Sequence, residues 1–254
     1  MRTALLISSS LGLALAVGGA GDGLAQTVGP VMNAPQFVNP QYPEVGIGVY
    51  VAPPAYTSTT GDTSSGDGSS GSTSAASGSA LSTLESEEYG SAAVADATNL
   101  NEDPNALADF ASVESNFQNI GDTSGTSSAT GPWQVTQGTF NYINQEYDLG
   151  LSPSDITNPT DEAEVAAYTI DNYAQQVETA TGAPPTVVQT YGAYEFGPGY
   201  GSQIATAPAT EPLSDIVPAS FLSNNNIPAT TTVGQYYANE SALLGSSASN
   251  PVFG

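Results

Sequence analysis

The residue with the clearest chemical potential is Glu114, because it continues an apolar helical stripe. Leu107, Phe110 and Ala111 stand at positions i, i+3 and i+4, which is the spacing of one helical face. Glu114 takes position i+7 on that face, so we expect its carboxyl group to lose contact with water. Desolvation disfavours a charged carboxylate and raises its pKa. A glutamic acid that keeps its proton in this way can act as a general acid.

Two further elements are needed to position Glu114. Pro104 suits the first turn of the helix, and Asp103 or Asn101 can cap it. A loop rich in Gly, Ser and Thr follows the helix and leads to Gly-Pro-Trp-Gln at residues 131–134. We expect this loop to fold back and to place polar groups opposite Glu114.

Three short motifs in this order resemble those of the soluble lytic transglycosylases, the lysozyme-like enzymes that cleave peptidoglycan. They are the dipeptide Glu114-Ser115, the Gly-x-x-Gln of residues 131–134 with Thr139 nearby, and the Ala-Tyr-Glu-Phe-Gly of residues 193–197. The resemblance covers about residues 100–226. It implies a mainly α, lysozyme-like catalytic domain that acts on peptidoglycan glycan strands without a metal or other cofactor.

The resemblance also implies a mechanism with one carboxyl group. Glu114 would protonate the glycosidic oxygen between N-acetylmuramic acid and N-acetylglucosamine. It would then act as the base that takes the proton from the C6 hydroxyl of muramic acid, which closes on C1 to give a 1,6-anhydro end. A hydrolase with two catalytic carboxylates would instead need a partner on the opposite face of the sugar.

The motifs assign roles to the side chains around Glu114. The residues expected to bind substrate are Ser128, Trp133, Gln134, Tyr194 and Glu195, and those expected to shape the site are Ser115, Gly131, Thr139 and Gly197.

Several of these assignments have alternatives. The amide of Gln134 suits the N-acetyl groups of the sugars, and the alternative is a structural loop residue. Trp133 could stack on a sugar ring or pack in the core, and Tyr194 could be simply packed. Ser128 could orient Glu114 or touch sugar, and Ser115 is expected to bond to local backbone. Glu195 stands where the family commonly has Asn or His, and it could be a second acid or a solvated loop residue.

The composition excludes several classes of function. Among 254 residues there are 25 Asp and Glu, a single basic side chain, Arg2, and neither histidine nor cysteine. This excludes a histidine base, a cysteine nucleophile, disulfides and a His/Cys zinc site. Nucleic acid is not expected as a partner, because nothing neutralises phosphates.

The chain divides into four regions by composition. Residues 1–25 are typical of a secretory signal peptide, with Arg2 before an apolar stretch that is too short to span a membrane comfortably. Residues 26–95 are Pro-rich and then Ser/Gly/Thr-rich, which predicts a largely disordered tether. Residues 96–226 form the predicted catalytic domain, and residues 227–254 form a tail or an accessory helix.

Helix predictions can be made within and around that domain. A weak acidic helix is predicted near residues 84–89. A second, short helix is predicted around Phe140, Ile143 and Tyr147. A third is predicted to begin at a Thr160 cap and to end at Gly182, with Asp161, Glu162 and Glu164 in its first turn, where the helix dipole favours negative charge. A fourth is predicted to begin at residues 184–185 and to end between Gly197 and Gly201, and another could span residues 233–244.

The sequence therefore predicts a secreted, monomeric peptidoglycan lytic transglycosylase in the periplasm or outside the cell, with no membrane span after signal cleavage. Two alternatives stay open: a hydrolase of the same fold acting on peptidoglycan or chitin, and a non-catalytic envelope or secretion-assembly protein that binds glycan. After removal of residues 1–25 no basic side chain would remain, which further suggests an enzyme adapted to an acidic exterior, because carboxyl groups repel one another less once they are protonated.

Overall fold

The structure is a computed structural model, and it describes residues 79–121 and 127–254. The expected signal peptide and residues 26–78 of the expected tether lie outside the described residues, as does the loop segment 122–126. Where the chain is described it is helical, and its β pairings are isolated bridges rather than strands. The prediction of a mainly α fold is confirmed. No helix in this part of the chain is long and apolar enough to cross a membrane.

Nine α-helices are present in the described residues. They are α1 (Ala80–Ser86), α2 (Gly90–Asn99), α3 (Pro104–Ser115), α4 (Gln137–Tyr147), α5 (Pro159–Thr181), α6 (Val187–Phe196), α7 (Pro198–Thr206), α8 (Ala219–Asn224) and α9 (Val233–Leu244). Three short 3-10 turns lie at Pro153–Thr157, Leu213–Asp215 and Gly245–Ser247.

The helix boundaries follow local capping chemistry. Asp103 caps α3 by accepting the N–H of Asn105, and Pro104 occupies the first position, as predicted. Helix α5 ends at Gly182, also as predicted, but Asn158 caps its start instead of Thr160. The side chain of Asn158 accepts the N–H of Thr160, and this satisfies a donor that has no partner inside the helix.

Two further helices differ in where they begin. The fourth predicted helix begins at Val187 and not at residues 184–185, because the Thr186 and Gln189 side chains form a capping box there. The same arrangement of Thr232 and Gln235 begins α9, whose observed span is the one the sequence suggested. The helix around Phe140 begins earlier than its apolar stripe, at Gln137.

Residues 80–99 are more ordered than the sequence suggested. They form two helices, α1 and α2, in place of one weak acidic helix, so the expectation of disorder fails for residues 80–95. Leu84, Ala93 and Ala97 are fully buried in the same core as α3 and α5. Small apolar residues allow close helix packing, and burial against neighbouring helices stabilises segments whose intrinsic signal is weak.

The long helix α5 lies at the centre of the fold, in contact with α2, α4, α6 and α7. The C-terminal segment returns to this core: α9 packs against α3 and α6, and Val252 is fully buried. The backbone N–H of Asp103 donates to Val252 O, and the N–H of Val252 donates to Pro185 O. Backbone hydrogen bonds of Val252 therefore connect the C-terminal segment to the starts of α3, which carries Glu114, and α6, which carries Tyr194.

Candidate active site

Glu114 lies in the last turn of α3, with its side chain only 7 % exposed. The hydroxyl group of Tyr191, on α6, donates to Glu114 Oε1 over 2.9 Å. Burial raises the pKa of Glu114 to about 7, against the lowering effect of the Tyr191 hydrogen bond and with a further rise from the charge of Glu240. The carboxyl group is thus set to hold a proton at mildly acidic pH and to release it near neutrality.

The end of α3 is tied to the loop that follows it. Asn116 and Phe117 both adopt left-handed backbone conformations, which end the helix directly after Ser115. The Ser115 hydroxyl donates to Pro132 O over 2.7 Å and makes a longer bond to Ala111 O. Ser115 therefore bonds to backbone, as expected, and links the helix that carries Glu114 to the Gly-Pro-Trp-Gln loop.

A second buried glutamate shapes that loop. Glu162, in the first turn of α5, is fully buried, and its Oε1 accepts the backbone N–H of Trp133 at 3.0 Å and of Val135 at 3.4 Å. Burial raises the pKa of Glu162 well above the usual range, although these two bonds oppose the rise. Gly131 adopts φ +80°, and a Cβ atom there would lie 1.5 Å from Glu162 Oε2. Only glycine fits between the loop and this carboxyl group.

Sequence reasoning missed this role of Glu162. It placed Glu162 in the first turn of the helix, where the helix dipole favours negative charge and glutamates are usually solvated. The available signal was helical phase: Glu162 precedes Ala166 by four positions and Ala166 precedes Ile170 by four, and both of these are fully buried.

Trp133 lies in the core and not on the substrate side of the loop. Its side chain is 0 % exposed, its Nε1–H donates to Leu107 O over 2.9 Å, and its ring meets Tyr89 edge-on at 5.6 Å. The expectation that Trp133 stacks on a sugar ring is therefore corrected in favour of core packing, because a fully enclosed indole offers no face to a ligand.

Gln134 is also built into the loop. Its backbone adopts the left-handed conformation at φ 49°, and its Nε2 donates to Ile120 O and Gly131 O at 2.9 and 2.7 Å. The amide has two N–H donors, and both are used by backbone carbonyls. The structure thus favours the structural alternative for Gln134, and its amide donors are not directed at substrate.

Helix α6 carries two tyrosines that line this region. The Tyr194 hydroxyl donates to Trp133 O over 2.7 Å, which ties the third motif to the second. The rings of Tyr191 and Tyr194 lie nearly parallel at 6.5 Å, and each meets Phe110 edge-on. Burial and nearby carboxyl groups raise the pKa of both hydroxyls, so they stay protonated and donate. Sequence reasoning gave Tyr191 no place in the site and missed its bond to Glu114.

Glu195 is neither in a loop nor solvated, which corrects that expectation. It lies on α6, is 9 % exposed, and its Oε2 accepts the hydroxyl of Tyr236 from α9 over 2.7 Å. Burial, followed by the charge of Glu240, raises the pKa of Glu195 well above the usual range. The residue is thus bound to the C-terminal helix.

The remaining motif residues hold backbone in place. Ser128 is exposed and its Oγ accepts the N–H of Gln137 at the start of α4, while Thr139 Oγ1 lies 2.9 Å from Thr136 Oγ1. Gly197 joins α6 to α7 with φ +81°. No group of His, Cys, Asp or Glu within the described ranges is arranged to hold a metal ion.

Comparison with known proteins agrees with the motifs. Residues 92–212 match the family model described as the transglycosylase SLT domain, and this span contains Glu114, the Gly-Pro-Trp-Gln loop and the third motif. A comparison with curated proteins gives no match. The family consists of lyases that act on the polysaccharide of the bacterial cell wall, which is consistent with an envelope location. Residues 92–212 are thus identified as a transglycosylase SLT domain, the domain of the peptidoglycan lytic transglycosylases of the lysozyme-like superfamily.

Proposed function

We propose that Glu114 alone serves as acid and then as base in a non-hydrolytic cleavage of peptidoglycan that leaves 1,6-anhydromuramyl ends. The observation that carries this proposal is the environment of Glu114: a nearly enclosed carboxyl group, bonded to one neutral hydroxyl, with a pKa of about 7. A pKa near the working pH is what a group needs if it is to give up a proton and then recover one.

The proposed reaction proceeds in two steps. Glu114 first donates its proton to the glycosidic oxygen, and the bond from this oxygen to C1 of muramic acid breaks, with its electron pair passing to the oxygen. The C6 hydroxyl then attacks the cationic C1, and its proton returns to the Glu114 carboxylate. The Tyr191 hydroxyl, already directed at Oε1, stabilises the carboxylate between the two steps.

The contacts of Glu195 support this mechanism over the hydrolase alternative. A hydrolase with a second carboxylate would need that group free to activate water. Glu195 is almost completely buried and accepts the Tyr236 hydroxyl. Glu195 is therefore not free to activate water, which supports the sugar's own C6 hydroxyl as the nucleophile.

The test is the product of digesting purified sacculi, analysed by mass spectrometry. Anhydro products lack the mass of one water relative to the products of hydrolysis. We expect the wild-type chain to release anhydro-muropeptides, Glu114→Gln to release none, and Glu146→Gln, which alters an exposed glutamate on α4, to behave like the wild type. Hydrolytic products, or an active Glu114→Gln variant, would refute the proposal.

We further propose that the protein is exported and that residues 1–25 are removed. Because Arg2 is the only Lys or Arg in the chain, the mature protein would contain no site for trypsin. Trypsin should leave exported protein uncut even after denaturation in urea, while chymotrypsin, as the control, should cut it. Recovery of exported protein that still begins at residue 1 would contradict processing.

A further inference from the structure

Helix α9 lies beyond the residues that match the family, yet it contacts both helices of the site. The matched span ends at residue 212, whereas α9 covers Val233–Leu244 and packs against α3 and α6. Tyr236 of α9 is buried in a cluster with Phe196 of α6. The chain therefore adds to the family domain an element that is packed against the helices carrying Glu114 and Tyr191.

Tyr236 lies against the second half of α6. Its hydroxyl group donates to Glu195 Oε2 over 2.7 Å, and its ring centroid lies 5.5 Å from that of Phe196. A Cβ atom added at Gly192 would lie 3.4 Å from the Tyr236 hydroxyl oxygen and 3.5 Å from its Cε1. The contacts of this one side chain therefore extend along α6 from Gly192 to Phe196.

The start of α6 is held by the C-terminal segment. N–H groups in the first turn of a helix have no partner within that helix. The N–H of Val187 donates to Asn250 O over 2.9 Å. The N–H of Val188 donates to Ala248 O over 3.0 Å. Residues beyond the matched span thus hold α6 at its start and near its end, and Tyr191 lies between these contacts.

Tyr191 connects the position of α6 to Glu114. Its hydroxyl group donates to Glu114 Oε1 over 2.9 Å. Tyr191 directly precedes Gly192 in the chain and stands four positions before Glu195, which places it on the same helical face as the residue that Tyr236 binds. Because a hydrogen bond between a hydroxyl and a carboxyl group needs an O–O distance of about 2.5–3.0 Å, a small movement of α6 would lengthen or break the bond to Glu114.

We propose that Tyr236 is a positioning residue for the reaction: by binding Glu195 and covering Gly192, it holds α6 where Tyr191 can bond to Glu114. This inference rests on the proposed role of Glu114 as acid and base. Burial raises the pKa of Glu114, and the Tyr191 hydrogen bond opposes that rise. A variant that loosens this bond should therefore bind the Glu114 proton more tightly and stabilise the carboxylate less well.

The experiment compares Tyr236→Phe with Tyr237→Phe and with the wild type. Tyr236→Phe keeps the ring and removes the hydroxyl group that donates to Glu195. Tyr237→Phe is the matched control, because its hydroxyl group is buried on the same helix but has no hydrogen-bond partner. All three proteins retain the titratable groups around Glu114, which are Glu162 from α5, Tyr191, Tyr194 and Glu195 from α6, and Glu240 from α9.

The first readout is the rate of digestion of purified sacculi from pH 4 to 9. Glu114 must hold its proton to act first as an acid, so the rate falls as pH rises through its pKa. Tyr236→Phe should lower the rate at pH 5 about threefold and move this high-pH limb upward by about half a unit, which is the scale of one weakened hydrogen bond. Tyr237→Phe should follow the wild type. A Tyr236→Phe limb at the wild-type pH would overturn the inference, even if the variant melts at a lower temperature.

A double-mutant cycle with Tyr191→Phe separates positioning from a general loss of stability. Tyr191→Phe removes the bond to Glu114 directly and should move the high-pH limb in the same direction. If Tyr236 acts through this bond, Tyr236→Phe should add almost nothing to the shift in the Tyr191→Phe background. Full additivity of the two shifts would overturn the inference.

The last readout does not depend on turnover. The pH dependence of the free energy of unfolding, measured with and without Glu114→Gln in each background, reports the proton affinity of Glu114 in the folded state. We expect this affinity to rise in Tyr236→Phe and to stay unchanged in Tyr237→Phe. Equal affinities in Tyr236→Phe and the wild type would contradict the positioning role. A wild type that releases no anhydro products contradicts the function of Glu114 instead, and the unfolding data then still test the role of Tyr236.

Discussion

Glu114 and Glu162 are both buried glutamates beside the same loop, but their surroundings differ. Glu162 is fully enclosed and accepts backbone N–H groups of the loop, whereas Glu114 retains slight exposure and accepts a single side-chain hydroxyl. The pKa of Glu162 lies well above its usual range, and that of Glu114 lies at about 7. Burial alone therefore does not make a catalytic acid.

The difference separates two uses of one chemical group. A sealed carboxyl group with a strongly raised pKa stays neutral and acts as a fixed acceptor of hydrogen bonds. A carboxyl group at the edge of the core, with a pKa near neutrality, can exchange its proton with a ligand. We therefore expect substitutions at the two glutamates to affect different properties.

The largest effect is expected from exchanging each glutamate for its isosteric amide. Glu114→Gln should lower the rate of wall lysis by about 10²–10⁴-fold, since it removes general acid catalysis while keeping shape. Glu162→Gln keeps an oxygen acceptor for the Trp133 N–H, so its rate should fall by less than about tenfold. Turbidity assays on sacculi measure both. Equal loss in the two variants would mean that the two carboxyl groups do not differ in role.

The next effect concerns the space that Glu162 occupies. Gly131→Ala should destabilise the fold by about 2–4 kcal/mol, because it combines a left-handed backbone with a collision against the Glu162 carboxyl group. Gly150→Ala is the matched control: its φ is +75°, but a Cβ there meets nothing within 4 Å. Gly150→Ala should lower the free energy of unfolding by only about 1 kcal/mol. Urea unfolding measures both, and similar costs would show that Glu162 can move aside.

A third effect is the pH dependence of stability. Burial raises the pKa values of Asp96 and Asp109 to about 6 and those of Glu114 and Glu240 to about 7. It also raises the pKa values of Glu102, Glu162 and Glu195 well above the usual range. The folded state thus binds more protons than the unfolded chain. Stability from these groups is fully present below the unfolded values, near pH 4, and is lost as pH rises through about 6 to 7.

Thermal unfolding from pH 3 to 8 at constant ionic strength checks this sign. The melting temperature should be highest at acidic pH and should decline towards neutrality. The melting temperature of Glu114→Gln should decline less steeply than that of the wild type, because one carboxyl group with a raised pKa has been removed. A maximum near pH 7 to 8 would contradict the adaptation to acid that the composition suggested.

The smallest effect is expected for the Ser/Gly/Thr-rich stretch. Deletion of residues 57–78 should leave activity and melting temperature nearly unchanged, since this composition offers no apolar face to bury. The deletion must stop before Ser79, whose Oγ accepts the N–H of Ser82 and caps α1. Extending it through Leu84, which is fully buried, serves as the contrast and should destabilise the domain.

The sequence predicted those parts of the site that depend on local order. Glu114 follows from helical phase, and the Asp103 cap and the Gly182 end follow from residue chemistry a few positions away. The hydrogen bonds of Glu162 to the loop and of Tyr191 to Glu114 join segments that are distant in sequence. Helical phase can predict that such residues are buried, but it does not predict their partners. Trp133 and Gln134 illustrate the same limit, because the motif located the loop but not the direction in which its side chains point.

Trp133 gives the molecule an internal optical probe. It is the only tryptophan, so the indole emission of the whole chain comes from one ring, enclosed between Leu107 and Tyr89 and attached to the loop beside Glu114. Its fluorescence should be blue-shifted in the folded state and should move to the red whenever the loop leaves Glu162. One emission spectrum therefore reports on the integrity of the loop without any label.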